Sequence, residues 1–300
     1  MKSLSFWDLS YVHAFYLFVV LSLAAIPVAA QDVPFTFEKG LIIVKATAFK
    51  DSPVEAVIAT GSPSSSVSMD YVLRNKVTPG FAVNPKGQNL TVVDVPRIIV
   101  GDASPVSLPM NGGSLANVYT RAGREITMIL GADYFKGKIL QIDFKSRVIR
   151  FLKDAPLDYK AAMSQPPDKT FVFRMDQQGE TFLGQPVTLP VINGAIVSGN
   201  KVRSLLETLI PYPISVSADA IKEFSLGSIP AKGASQVGKL DSFSFAGLEI
   251  PNIPTQFVGK GAGFDSNVRD YGAILGVAVL QNYRATFDWK EKVVVLERAN

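Results

Sequence analysis

Apolar residues in this chain come in short bursts broken by glycine, proline and charged pairs. "GLIIVKATAF" (40–49) is rich in β-branched residues and reads as a strand. "KDSP" (50–53) reads as a turn before a second strand, "VEAVI". "VTLPVI" and "KVRSLL" flank a stretch with two turn signals, Asn193-Gly194 and Gly199-Asn200. "FKSRVIRF" (144–151) and "WKEKVVVL" (289–296) read as turns running into strands. Helix starts are placed at Ser68, before "MDYVL", and at Ser217, before "ADAIKEF". A serine there caps exposed amides, and Asp70 or Asp219 in the first turn suits the helix dipole. No long helical period occurs, so the pattern predicts an all-β fold with short helices.

The pattern is written twice. "VEAVIAT" (54–60) matches "VRSLLET" (202–208) at a constant offset of 148 residues. "ILGADYFKGKILQIDFKSRVIRF" (129–151) matches "ILGVAVLQNYRATFDWKEKVVVL" (274–296) at an offset of 145. Two blocks in the same order at nearly the same offset indicate a duplication. The Pro-containing polar stretch 153–169 is read as a linker, which places one lobe at 32–152 and a second at 170–300.

Composition narrows the chemistry. The hydrophobic fraction is 47% and the charged fraction 19%, which suits a globular chain. The net charge of +4 is spread out, with no Lys/Arg run and no basic stripe with interleaved aromatics, so nucleic-acid binding has no support. There is no Cys, and the one His is His13. Outside the N-terminal segment this excludes Cys nucleophiles, Ser–His–Asp triads and His- or Cys-held zinc. No metal and no cofactor is expected.

His13 belongs to a targeting pattern. The apolar run "AFYLFVVLSLAAI" (14–26) is followed by "PVAAQ", with Val28 and Ala30 at the −3 and −1 positions of a cut before Gln31. Residues 1–30 are read as a signal peptide, with an uncleaved anchor as the alternative. The expected location is secreted, periplasmic or in the cell envelope, with membrane contact only if that segment is retained.

"AVIATGS" with "MILGADYF", and "SLLETLI" with "AILGVAVL", each resemble one lobe of the aspartic proteases of the pepsin and retropepsin kind, bacterial secreted members above all. The opening "FTFEKGLIIVKATAF" is similar too, and the resemblance covers nearly all of the chain after residue 30. It implies two pseudo-symmetric β-barrel lobes with a cleft between them. It also implies an Asp-Thr-Gly loop in each lobe, supported by an apolar-apolar-Gly strand: Ile129, Leu130 and Gly131 in one copy, Ile274, Leu275 and Gly276 in the other.

The departures decide function. The family chemistry uses one carboxylate per lobe, crowded so that one is ionised and the other protonated. Here the first aspartate position holds Ala59 and the second holds Glu207. A methyl group can neither activate water nor polarise a carbonyl, and Glu207 is one methylene too long. The loop glycine remains as Gly61 but is Leu209 in the second copy, a poor fit if that position needs positive φ or close backbone approach. Thr60 and Thr208 are kept, and the resemblance implies that they bond across the lobes. With Ser62, these residues make up the expected cleft loops.

The leading expectation is a catalytically degenerate protein that binds a peptide or protein segment in the cleft. One alternative is an active peptidase that uses Glu207 with a second carboxylate or through a homodimer. Another is a structural envelope protein with a filled cleft. Asp143 and Asp288 repeat but suit turns. "GKGAGFDSNVRDYG" (259–272) lacks Walker and calcium-loop spacing and is read as a mobile loop beside the cleft. "SPSSS" (62–66) offers hydroxyls with no His to activate them, and "NLT" (89–91) is a glycosylation sequon.

Overall fold

The strand-forming bursts fold as strands, some buried on alternate residues, as in Val33–Glu38, and others buried on both faces, as in Ala273–Gly276. A computed structural model describes residues 30–85, 87–164, 167–261 and 271–298. The signal-peptide reading, except Ala30, and most of the 259–272 loop lie outside these residues. Among the described residues the strands form a thirteen-stranded sheet, a two-stranded sheet and a closed six-stranded barrel. The fold is all-β with two lobes, and the helices are short.

Matching positions of the duplication build matching structure. In the first copy, Ser52–Ile58 pairs in parallel with Met128–Leu130, which pairs antiparallel with Ser66–Ser68. In the second, Asn200–Glu207 pairs in parallel with Ala273–Gly276, which pairs antiparallel with Ile214–Ser217. Each arrangement feeds a short helix. Met69–Arg74 is capped by Ser68, whose hydroxyl accepts from the Tyr71 amide. Ala218–Glu223 is capped by Ser217, whose hydroxyl accepts from the Ala220 amide.

The lobes join through six antiparallel strands in the order Thr170–Arg174, Val293–Arg298, Tyr283–Asp288, Ile139–Asp143, Val148–Leu152, Val33–Glu38. At the centre Gln141 faces Thr286, its own counterpart 145 residues on, and donates to the Thr286 hydroxyl at 3.2 Å. A residue paired with its own duplicate marks the local two-fold axis. The apolar core continues across this sheet. Phe135 of the first lobe stacks on Trp289 of the second at 4.9 Å, and Trp289 stacks on Phe287 at 5.6 Å.

Turn chemistry departs from the sequence reading in two places. Asn193-Gly194 is not a turn. It is a bulge inside the strand Val191–Val197, where the register shifts between Ile192 and Ala195. Ser198 and Gly199, both at positive φ, make the hairpin turn. The turn before the second strand is centred on Phe49, Lys50 and Asp51, all left-handed, and the strand already begins at Ser52. Asp143 and Asp288 hold turns: Asp143 accepts from the Ser146 amide, and Asp288 from the amides of Lys290 and Glu291.

Candidate functional site

The two loops that follow Ile58 and Leu206 meet on the local axis. The Thr60 hydroxyl donates to the Leu206 carbonyl at 2.9 Å and accepts from the Thr208 amide at 3.2 Å. Reciprocally, the Thr208 hydroxyl donates to the Ile58 carbonyl at 2.7 Å and accepts from the Thr60 amide at 3.2 Å. Both threonines are fully buried. Replacing either by valine keeps the shape but strands a carbonyl and an amide away from water. Each of Thr60→Val and Thr208→Val is expected to lower stability by about 1–3 kcal/mol. The double variant should fall short of the sum, because one four-bond unit is lost. Denaturant midpoints of the three variants check this.

The supporting strands set the loop height in both lobes. The Ala132 amide donates to the Ser62 carbonyl at 2.8 Å, and the Val277 amide donates to the Ile210 carbonyl at 2.9 Å. The Ala59 amide donates to the Leu130 carbonyl at 2.9 Å. Gly131 and Gly276 lie where these chains crowd. A Cβ on Gly131 would sit 2.7 Å from the Ser62 carbonyl oxygen; one on Gly276 would sit 2.5 Å from the Ile210 carbonyl oxygen and closer still to that of Tyr212. Asp133, one turn on, steadies the first loop by accepting from the Ser65 amide at 2.9 Å and hydroxyl at 2.6 Å.

Ala59 is fully buried and Glu207 is 5% exposed. The Glu207 carboxyl reaches toward the first lobe. Its Oε2 accepts from the Ser62 hydroxyl at 3.0 Å, and its Oε1 accepts from the Leu209 amide at 2.9 Å. Burial pushes its pKa up to about 7, against smaller opposing effects of the hydrogen bonds from Leu209, Ser62, Gly61 and Thr208. No charged group is among these influences. Among the described residues the group is therefore a lone carboxyl with neutral hydrogen-bond partners. Among the described residues no cluster of three or more acidic or histidine side chains could hold a metal ion.

Leu209 corrects the expectation of a poor fit. Its φ is not positive, and neither is that of Gly61. Gly61 is constrained by close approach instead: a Cβ there would lie 3.0 Å from Leu205 and 3.1 Å from the Glu207 Cβ. Leu209 has room because it crosses the seam. It packs on a first-lobe cluster that includes Leu41, Ile43, Val57, Val118 and Ile126, next to Ile129. Ile274 and Leu275 are buried beneath the second loop, as Leu130 is beneath the first.

Arg121, absent from the sequence reading, closes the outer side. It lies in the helix Ala116–Ala122 and donates to the Leu209 carbonyl at 2.8 Å and the Lys39 carbonyl at 3.1 Å. Next to Lys39, Gly40 comes close to Pro211 and Val277 of the other lobe. No local signal marks Arg121, since its partner is 88 residues away.

A scan against family models finds no match, and a search of curated proteins finds no relative. Among solved structures the chain is similar to the basic 7S globulin from soybean, at 11% identity over 91% of this chain and 96% of that one, with a TM-score of 0.47. A likeness at that level carries no argument about activity.

Proposed function

We propose that this chain is an aspartic-protease-like protein that has lost two-carboxylate peptide hydrolysis and holds a peptide or protein segment between its lobes. The observation that carries the reading is the isolation of Glu207. Its carboxyl is buried, is bonded to neutral groups only among the described residues, and faces a loop that offers Ala59 in place of an acid. The aspartic mechanism needs two carboxyls sharing a proton, and one carboxyl cannot fill both roles. Pairing two Glu207 side chains across a homodimer would require pulling each from a site where it is 5% exposed. The intact threonine grip supports a scaffold kept for something other than hydrolysis. A peptide laid along the lobes as an added strand needs main-chain hydrogen bonds and side-chain pockets, and no catalytic acid. The N-terminal targeting pattern supports a location outside the cytoplasm, in the envelope or beyond.

A second reading, a structural protein with a filled seam, is favoured by Leu209 and Arg121, which cover the second loop with the chain's own side chains. One experiment separates the readings. The full chain is incubated with a complex peptide library from pH 3 to 8, and the bound and unbound peptides are sequenced by mass spectrometry. The expected result is a retained subset with every peptide intact. Cleavage that vanishes in Glu207→Gln would overturn the proposal in favour of a peptidase. Failure to retain any peptide would favour the structural protein. Cleavage gained by Ala59→Asp would show that peptides enter and that the second acid is what hydrolysis lacks.

A further inference from the structure

Arginines on this chain mostly face acids. Arg97 pairs with Asp51 at 2.6 Å, Arg203 with Asp176 at 2.7 Å, and Arg284 with Glu297 at 2.5 Å. Arg124 bridges Glu38 and Glu55 at 2.9 and 2.7 Å. Arg121 is different. It is half-buried, and among the described residues its guanidinium meets main-chain carbonyls and no carboxylate. Burial lowers its pKa, with no acid acting in the other direction. The nearest acid in sequence to its Lys39 partner, Glu38, is already engaged by Arg124.

A guanidinium carries five N–H donors in a planar fork. Two point at the carbonyls of Leu209 and Lys39, which leaves the others without an acceptor among the described residues. Removing a cation from water without an anion beside it costs free energy, and a carboxylate docked on the same fork would offset that cost. The position matters as much as the charge. Leu209 is two residues past Glu207, so the guanidinium stands at the lip of the second loop, where the lobes meet.

We infer that Arg121 is a carboxylate-binding position in the inter-lobe site, and that it selects peptide segments carrying Asp or Glu opposite the second loop. The inference rests on the reading of the seam as a peptide site. Below about pH 7 the Glu207 carboxyl is protonated, so it adds no repulsion against an acidic ligand.

The test uses the full chain at pH 6 and two random peptide libraries with acetylated and amidated ends, so that no terminal carboxylate competes. One library fixes Asp at its central position and the other fixes Asn there. The native chain is expected to retain the Asp library about tenfold or more over the Asn library, the scale of a hydrogen-bonded ion pair. Arg121→Gln should level the two, and Arg121→Lys should keep part of the preference. Matched unfolding midpoints show that the variants are folded, and Arg121→Lys carries the comparison if the glutamine variant is not. Equal retention of both libraries by the native chain would sink the inference and leave the peptide-holding reading in place. A preference that survives in Arg121→Gln would also sink it, because the acid would then be read elsewhere. If neither library is retained, the reading of the seam fails, and the inference fails with it.

Discussion

Raising the pH from 4.5 to 8 is expected to cost the folded chain about 3 kcal/mol through Glu207 alone. An ordinary glutamate titrates near 4.5, and in the fold burial pushes Glu207 up to about 7. Below 4.5 the group is protonated in both the folded and unfolded states and contributes nothing. Between 4.5 and 7 the unfolded chain releases this proton while the folded chain keeps it, so stability falls as pH rises. Above 7 both states are ionised and the penalty stays constant. Glu207→Gln removes the titration and keeps the shape: the amide oxygen can accept from Leu209, and the amide nitrogen can donate to Ser62. The variant should match the native chain near pH 4.5 and exceed its stability by about 3 kcal/mol at pH 8. Asp133 is also raised by burial and titrates in the same direction. It is present in both proteins, so the difference between their denaturant midpoints across pH isolates Glu207. A difference that does not change with pH would show that Glu207 is already ionised in the fold, and the account of its isolation would fall.

Gly276→Ala should be the most damaging single substitution beneath the loops. The added methyl would press on the carbonyl oxygens of Ile210 and Tyr212, which belong to the backbone and cannot rotate away. Those carbonyls lie in the segment leading away from the second loop, and the Ile210 carbonyl is bonded to the Val277 amide. Relief requires the loop to move off its support. The expected loss is about 3 kcal/mol or more, at the upper end for overpacking. Gly131→Ala, with its closest contacts at 2.7 Å to Ser62 and Ser64, should be milder. Gly113→Ala is the control: its φ is not positive and nothing lies within 4 Å of the added carbon, so a change of about 0.5 kcal/mol or less is expected. Equal behaviour of Gly276→Ala and Gly113→Ala in a urea titration would contradict close packing of Gly276 against Ile210 and Tyr212.

The repeats made much of the fold readable. An apolar stretch ending in Ile-Leu-Gly, found twice at a fixed offset, is a local pattern, and strands and their caps form from local patterns. Ser68 and Ser217 cap helices because a serine hydroxyl reaches an amide three residues on, whatever surrounds it. Asp143 and Asp288 hold turns for the same reason. Asn193-Gly194 went the other way. The pair has turn chemistry, but the barrel needed a bend inside a strand at that point, and the glycine supplied it as a bulge.

The sequence by itself determined that the chain is a duplicated β protein, where its two loops fall, and that one carries Ala59 and the other Glu207. Tertiary structure decided what those residues experience. Ser62 and Glu207 are 145 residues apart, Thr60 and Thr208 are 148 apart, and Arg121 and Leu209 are 88 apart. The duplication matched Thr60 with Thr208, but no periodicity or spacing rule gives the surroundings of Glu207 or the partner of Arg121. Only the docking of one lobe on the other buries the Glu207 carboxyl among neutral hydrogen-bond partners and raises its pKa. The same docking turns Leu209 from an apparent misfit into a packed residue and, among the described residues, leaves Arg121 facing main-chain carbonyls and no acid. Burial and electrostatics depend on what surrounds a group in three dimensions, and that is fixed only when the lobes meet.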